Sequence, residues 1–195
     1  MPLSLALLPS QSLANKILLV VAGSILVAVA AQISIPFKPV PLTLQTLAVL
    51  MVGLTLGARL GAASLALYLA EGAAGLPVFA NGGAGLAYMA GPTGGFLVGF
   101  VLMAWFAGLA ADLGLRKVLP VAGFALLAAL LLYVPGLAWP YALAGLFGVD
   151  AGWVGTSLAA LWAGWMQPFV IGDALKALLA AVFLTGAWDW FAKRK

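Results

Sequence analysis

The chain has 195 residues, of which 65% are hydrophobic and only 7% are charged, and its mean hydropathy is +1.18. Soluble domains carry about 25% charged residues, so this composition argues against a soluble enzyme and predicts an outer surface that faces lipid. Cysteine and histidine are both absent, which excludes disulfides, thiolate nucleophiles and the usual zinc ligands. The net charge of +4 does not indicate nucleic-acid binding, because the basic residues are scattered between apolar runs.

Six apolar segments are predicted to be membrane helices. They lie at about Lys16–Ile35, Leu42–Gly57, Arg59–Gly72, Gly94–Ala111, Val118–Val134 and Ile171–Phe191. The second and third are short, so they either tilt against their neighbours or end inside the protein. Pro and Gly residues interrupt the sequence between Ala138 and Pro168, which favours short extra helices there. The predicted fold class is therefore all-α: a polytopic membrane protein with six transmembrane helices, formed by residues 1–195 as a single integral-membrane domain.

The basic residues predict the orientation of the chain in the membrane. An even number of crossings puts both termini on one side, and seven of the nine Lys and Arg residues fall on that side: Lys16, Arg59, Arg116, Lys117, Lys193, Arg194 and Lys195. Lys38 falls on the opposite side. Both termini are therefore expected in the cytoplasm. Residues Met1–Asn15 lack the positively charged start of a secretory signal peptide and are expected to be an irregular or interfacial lead-in.

Two connections on the predicted outer side are rich in residues that shape the backbone. Residues 34–41 contain three prolines, which favour a stiff extended segment. Residues 75–95 contain clustered glycines, which let backbone N–H groups approach a ligand closely. A loop this long and apolar either covers a ligand as a lid or re-enters the molecule as packing.

Asp173 and Lys176 are ionisable groups that hydropathy places inside or near the membrane, where charge is costly and is usually retained for function. Their i, i+3 spacing puts them on one face of the last segment. They either bind a ligand or neutralise each other as an ion pair. Glu71, at the end of the third segment, is expected to cap the backbone or to pair with a loop group.

Several other residues allow two interpretations each. Thr43 and Gln45 follow the proline-rich loop and can hydrogen-bond either a ligand or a neighbouring helix. Tyr88 either stacks on a ligand ring or anchors its loop at the membrane interface. In the first segment, Ser24 and Ala28 form a small-xxx-small pair, which serves either internal packing or contact with a partner helix.

Five short segments, in this order along the chain, resemble the signatures of the BioY family, the biotin-specific S components of energy-coupling factor (ECF) transporters. They are Ala31–Pro36, Pro39–Ala48, Gly72–Ala80, Gly91–Phe96 and Gly172–Ala177. The resemblance implies a six-helix protein of a prokaryotic inner or plasma membrane, with cytoplasmic termini and an outward-accessible biotin site under the first and third loops. It also implies that the small-residue surface at Ser24 and Ala28 contacts a transmembrane coupling subunit.

The resemblance also implies how biotin is held. Biotin has a ureido ring with N–H donors, an apolar thioether ring and tail, and a terminal carboxylate. Asp173 is expected to accept a ureido N–H, and Lys176 to meet the carboxylate, although either end of biotin fits either residue. The other expected substrate contacts are apolar walls and orienting donors: Phe79, Tyr88, Met89, Thr43, Gln45, Gly83 and Asn81. Asn81 stands where glycine is expected, so it either bonds the ligand or fills a turn position of positive φ.

The sequence contains no G-x-x-x-x-G-K-[ST] phosphate loop, so P-loop hydrolysis of ATP is not expected of this chain. The resemblance implies that a coupling subunit and two cytoplasmic ATPase subunits supply the energy. No catalytic residue, metal or cofactor is expected, and biotin is the transported ligand. Three alternatives stay open: a stand-alone biotin carrier or facilitator, an intramembrane enzyme that uses a Ser–Lys or carboxylate arrangement, and a passive membrane protein.

Overall fold

A computed structural model describes residues 2, 3 and 12–193, and these residues are mostly helical. In chain order the helices are α1 (Leu13–Gln32), α2 (Gln45–Leu56), α3 (Ala58–Ala73), α4 (Gly85–Met89), α5 (Gly94–Asp112), α6 (Val118–Ala138), α7 (Ala144–Leu146), α8 (Leu158–Leu161) and α9 (Gln167–Ala192). A 3-10 turn at Ala80–Gly82 precedes α4. Two short strands, β1 (Ser34–Ile35) and β2 (Leu42–Thr43), pair antiparallel with Ser34 opposite Thr43.

All six predicted segments are helical, and four stretches of helix are long and apolar enough to cross a membrane. These stretches are Leu13–Gln32, Gly94–Asp112, Val118–Leu146 and Leu158–Trp190. Helices α2 and α3 have 12 and 16 residues, which at ~1.5 Å per residue gives about 18 and 24 Å. Both are shorter than a ~30 Å hydrocarbon core, and α2 is buried along most of its length.

The non-helical stretch between Ala138 and Pro168 is shorter than the sequence predicted, because helix continues to Leu146 and begins again at Leu158. A π-helical turn at Trp139–Leu143 joins α6 to α7, and a second at Trp162–Met166 joins α8 to α9. Pro140 and Pro168 lie at or just after these π-turns, and the helices continue through both positions. The short helices exist, but they extend their long neighbours, and the last long helix begins at Leu158 instead of Ile171.

Helix α5 lies at the centre of the bundle, against α2, α3 and α6. Ala104 and Ala107 on this helix are fully buried. Gly53 on α2 lies so close to α5 that a Cβ there would collide with the Ala104 carbonyl. Small residues at such crossings let helix backbones approach closely, which is a main route to helix association in lipid.

The predicted lead-in falls largely outside the described residues, as do Arg194 and Lys195. Within the described part, Ser12 caps α1, because its Oγ accepts a hydrogen bond from the Asn15 backbone N–H at 3.2 Å.

Near the C-terminal end of α9, the centre of the Trp188 ring lies 4.2 Å from the guanidinium of Arg116. This cation–π contact fixes the last turns of α9 against the connection between α5 and α6.

The connections 33–44 and 75–93 lie at the same end of the bundle, which we call the loop end. Side-chain hydrogen bonds join the two connections, as from Ser34 Oγ to Asn81 Oδ1 at 2.7 Å. Helices α2 and α5 begin at this end, and α6 finishes there. The loop end therefore gathers residues that are far apart in sequence.

Candidate ligand-binding site

A cavity of about 540 Å³, including its open mouth, lies at the loop end. Its apolar wall is formed by Val40, Pro41, Ala80, Phe96, Leu97, Phe100, Leu132 and Phe169. Its polar groups are Thr43, Gln45, Thr46, Tyr88, Thr93, Tyr133, Asp173 and Lys176. A mostly apolar cavity with a few converging polar groups is typical of a small-molecule site.

Asp173 is the buried anion of this cavity, with 5% of its surface exposed. Its Oδ1 accepts hydrogen bonds from Thr46 Oγ1 at 2.8 Å and from Lys176 Nζ at 3.2 Å. Its Oδ2 accepts one from Tyr133 Oη at 2.8 Å. A carboxylate has about four acceptor positions, so one position on Oδ2 has no partner among the described residues.

Lys176 is the matching cation, one helical turn along α9. Its Nζ donates to Thr43 O at 2.8 Å, to Thr46 Oγ1 at 2.9 Å and to Asp173 Oδ1 at 3.2 Å. An ammonium has three donors, and all three are used within the protein. Asp173 and Lys176 therefore form the ion pair that the sequence allowed, and they also line the cavity that a ligand would enter.

Thr43 and Gln45 line the cavity while bonding to the protein. Thr43 Oγ1 accepts from the Gln45 backbone N–H at 3.2 Å, which caps the start of α2. The Gln45 side chain donates to Tyr68 Oη at 2.8 Å, and Tyr68 donates to Val78 O at 3.1 Å. This chain of bonds ties the wall of the cavity to the connection 75–93.

Tyr88 forms the part of the cavity wall that the connection 75–93 contributes through α4. Its ring stacks on Phe79, with centres 5.2 Å apart, and Phe79 is fully buried. Burial raises the pKa of the Tyr88 phenol above its usual range, and a hydrogen bond with Thr93 lowers it by less. The phenol therefore stays neutral at physiological pH and can donate a hydrogen bond.

Gly83 acts through packing in this structure. A Cβ at Gly83 would overlap the Tyr88 ring, so glycine is what lets the ring lie flat against this part of the loop. Phe79 lies behind Tyr88, and Met89 packs against the core. None of these three residues belongs to the cavity lining.

Asn81 fills a turn. Its φ of 57° lies in the left-handed region, and Gly82 follows with a φ of 71°. Asn is one of the few residues with a side chain that tolerates this conformation. The Oδ1 of Asn81 accepts a hydrogen bond from Ser34 Oγ at 2.7 Å, so the side chain faces the first connection.

Sequence reasoning missed two polar residues that complete the site, Thr46 and Tyr133. Both bond Asp173 directly, and both are buried. The Phe96 ring meets the Tyr133 ring edge-on at 6.1 Å, which fixes the orientation of the phenol. A polar hydroxyl inside an apolar helix is the signal that marks them, but the sequence alone does not show which helix faces they share.

The small-residue pair of α1 has a different environment from the one expected of a partner surface. Ser24 is fully buried and donates a hydrogen bond to the Glu71 carboxylate of α3. Ala28 is half-buried, whereas Ile25, Leu26 and Val29 are exposed. The geometry at Ser24 therefore corresponds to internal packing, because a fully buried side chain is not accessible to another subunit.

Sequence comparisons place the chain among known transporters. The BioY family pattern matches residues 5–193. A probable biotin transporter BioY of Pyrococcus horikoshii is 37% identical, over 87% of this chain and 93% of that protein. The biotin transporter BioY2 of Lactococcus lactis is 36% identical, over 85% of each chain. The biotin transporter BioY of Rhizobium etli is 37% identical, over 77% of this chain and 79% of that protein.

The fold also matches a solved structure, the 2.1 Å crystal structure of the S-component for biotin from an ECF-type ABC transporter. The two chains superpose with a TM-score of 0.74 at 23% identity, over 92% of this chain and 95% of the other. The agreement at this identity establishes the fold. Together with the four long apolar helices and a family match that spans nearly the whole sequence, it shows that this chain is a multi-pass membrane protein of the BioY family of transporters.

Proposed function

We propose that this protein captures biotin at high affinity and is the substrate-binding membrane subunit of an ECF transporter. The observation that supports this most directly is the convergence of Thr46, Tyr133, Asp173 and Lys176 on one mostly apolar cavity, in a chain of the BioY family. The relatives named above are described as biotin transporters.

The ureido ring of biotin fits the Asp173 end of the cavity. The open acceptor position on Asp173 Oδ2 takes one ureido N–H. Tyr133 commits its own O–H to Asp173, so its oxygen lone pairs are oriented as an acceptor for a second polar contact. Lys176 Nζ, 3.2 Å from Asp173 Oδ1, places an opposite charge beside the carboxylate.

The carboxylate of biotin is the less constrained end in this proposal. Lys176 already uses its three donors, so a direct bond to biotin requires it to release one acceptor, such as Thr43 O. The thioether ring and the tail would lie against the aromatic wall formed by Tyr88, Phe96, Phe100 and Phe169. Thr43 and Gln45 would contribute polar edges, with Phe79, Asn81, Gly83 and Met89 shaping the loop around the ligand.

The same proposal covers the membrane topology. Helices α1, α2, α3, α5, α6 and α9 make six crossings as a single domain, with both termini in the cytoplasm and the loop end outside the cell. The described basic residues support this arrangement, since Lys16, Arg59, Arg116 and Lys117 lie away from the loop end and Lys38 lies within it. The membrane would be the prokaryotic cell membrane.

A coupling subunit and two cytoplasmic ATPases would supply the energy for release of biotin inside the cell. For the coupling contact on α1 we favour the exposed face formed by Ile25, Leu26 and Val29 beside Ala28. Ser24 would support this face from within. No metal or cofactor takes part in the proposed function.

Uptake of labelled biotin tests the proposed function. The host is a bacterial strain that lacks its own biotin uptake and produces the chain with or without the coupling and ATPase subunits. We expect accumulation with the full set of subunits and a strong reduction when Asp173 is replaced by Asn. Accumulation equal to that of cells without the chain would refute the proposal.

A further inference from the structure

The Gln32 side chain, at the last position of α1, connects this helix to the connection 75–93. Its Nε2 lies 3.1 Å from Phe79 O and 3.4 Å from Val78 O, and its Oε1 accepts from the Gly82 backbone N–H at 3.0 Å. One amide therefore holds the backbone on both sides of Ala80. None of these contacts is used in the binding of biotin proposed above.

Ser34 makes a second connection two residues later. Its Oγ donates to Asn81 Oδ1 at 2.7 Å, within the same turn that Gln32 holds. The left-handed conformations of Asn81 and Gly82 fix this turn so that the Gly82 N–H faces Gln32. Residues 32–34 thus fasten residues 78–82 from one side through four side-chain contacts.

The fastened segment carries one wall of the cavity. Ala80 lines the cavity directly, and its carbonyl lies 3.4 Å from Tyr88 Oη. Phe79 stacks on Tyr88, and Tyr88 also lines the cavity. The position of this wall therefore depends on where the segment 78–82 sits, and Gln32 sets that position without touching the cavity itself.

We propose that Gln32 is a positioning residue that holds the connection 75–93 over the cavity and thereby sets how long a ligand stays bound. The inference rests on the proposed function, because the ligand is biotin. Gln32 is exposed, so water can replace its bonds when the connection moves away, and the fastening is reversible. A ligand that leaves past Ala80 and Tyr88 must first break these bonds.

Gln32→Met tests the proposal, because methionine keeps the length of the side chain and removes its hydrogen bonds. Ser34→Ala removes the second fastening, and Gln167→Met is the matched control, an exposed glutamine on α9. Dissociation of labelled biotin from the purified chain in detergent gives the rate of release. Hydrogen–deuterium exchange of residues 78–89 reports on the connection without any ligand.

We expect Gln32→Met to speed biotin release about tenfold, because two or three exposed hydrogen bonds at the lower end of their usual net strength together reach the ~1.4 kcal/mol that a tenfold change requires, and to speed exchange of residues 78–89. Ser34→Ala should give a smaller increase in both, and Gln167→Met should change neither. Unchanged exchange in Gln32→Met, or faster exchange with unchanged release, would overturn the inference. If the unaltered chain did not bind biotin, both the proposed function and the role of Gln32 in biotin release would be refuted. Hydrogen–deuterium exchange of residues 78–89 would still show whether Gln32 holds the connection 75–93.

Discussion

At the scale of single residues, the candidate site is a small network around one buried carboxylate. Asp173 receives hydrogen bonds from Thr46, Tyr133 and Lys176, so three protein donors surround the carboxylate. Bonds to an ionised acceptor are stronger than those between neutral groups. The network therefore holds Asp173 in one orientation, with one acceptor position left toward the cavity.

Tyr133→Phe tests the orienting role of the phenol. The change removes one hydrogen bond to Asp173 and one polar group of the cavity, while the ring and its contact with Phe96 remain. We expect biotin affinity to fall about tenfold, which corresponds to about 1.4 kcal/mol. Tyr141→Phe is the control, since Tyr141 is half exposed and lies outside the cavity lining. Equal affinity in both variants would remove Tyr133 from the site.

Asp173 and Lys176 have separable roles in stability and in binding. Asp173→Asn leaves the partly buried Lys176 ammonium without its counter-ion, and removing one partner of such a pair is destabilising, so we expect both the unfolding temperature and the biotin affinity to fall. Adding Lys176→Met removes the stranded charge and should restore much of the unfolding temperature but not the affinity. Thermal unfolding and biotin titration in detergent measure the two effects. Normal affinity in the double variant would contradict the assignment.

The sequence predicted the charged part of this site and missed its neutral part. Asp173 and Lys176 are conspicuous because charges are rare in such a chain, and their spacing places them on one helix face. Thr46 and Tyr133 come from α2 and α6, and their meeting with α9 depends on how the helices pack. Packing is set by shape at the crossings, such as Gly53 against Ala104, which hydropathy does not encode.

At the scale of elements, the connection 75–93 forms one wall of the cavity and is held in place by contacts with the helices. Phe79 anchors it in the core, stacking on Tyr88 and meeting the Tyr68 ring edge-on at 5.4 Å. Near its other end, Trp139 Nε1 donates to Gly91 O at 2.9 Å. From sequence, this connection was predicted to be either a lid over a ligand or a packing loop, and the structure shows the contacts that hold it against the core.

Gly83→Ala tests whether the stacked position of Tyr88 shapes the site. The backbone of Gly83 has φ −61° and ψ 148°, which alanine adopts without strain, so the added methyl group acts only by displacing the Tyr88 ring. We expect weaker biotin binding with little change in the unfolding temperature. Gly123→Ala is the control, because open space surrounds a Cβ at Gly123. Binding as tight as in the control would show that the Tyr88 position is not needed.

The packing of α1 against α3 leads to a prediction for Ser24. A Trp side chain cannot fit a fully buried position beside Glu71, so Ser24→Trp should lower the unfolding temperature and impair biotin binding in the isolated chain. Ile25→Trp, on the exposed face of the same helix, should leave both unchanged. If Ser24→Trp folded and bound biotin normally, Ser24 would instead lie on an accessible surface.

Element boundaries were predicted best where charges or glycines end an apolar run. The predicted start of α5 at Gly94 and that of α6 at Val118 agree with the structure. The predicted start of the last long helix at Ile171 is wrong, since the helical stretch begins at Leu158 and runs past Pro168. The π-turn at Trp162–Met166 lets the helix continue past that point, and no local sequence rule for proline anticipates it.

At the scale of the whole molecule, hydropathy indicates that the chain is a membrane protein. It does not show how far each helix extends across the hydrocarbon core. Four stretches of helix have the length of a crossing, while α2 and α3 are shorter. The burial of α2 among its neighbours explains why a short helix is stable there, since its backbone and side chains face protein on most sides.

The orientation of the molecule is tested by labelling, since the natural chain has no cysteine. Lys38 lies in the first connection of the loop end and Lys117 lies between α5 and α6, and both are exposed. Lys38→Cys should react with a membrane-impermeant maleimide in intact cells, and Lys117→Cys only after the membrane is opened. The reverse pattern would invert the proposed topology.

The central claim is that the isolated chain holds biotin in the cavity at the loop end. Calorimetric titration of the purified protein in detergent with biotin measures this directly. The account predicts a saturable heat with about one biotin bound per chain. The absence of any saturable heat in a folded sample, at biotin concentrations far above those expected to fill the site, would contradict it.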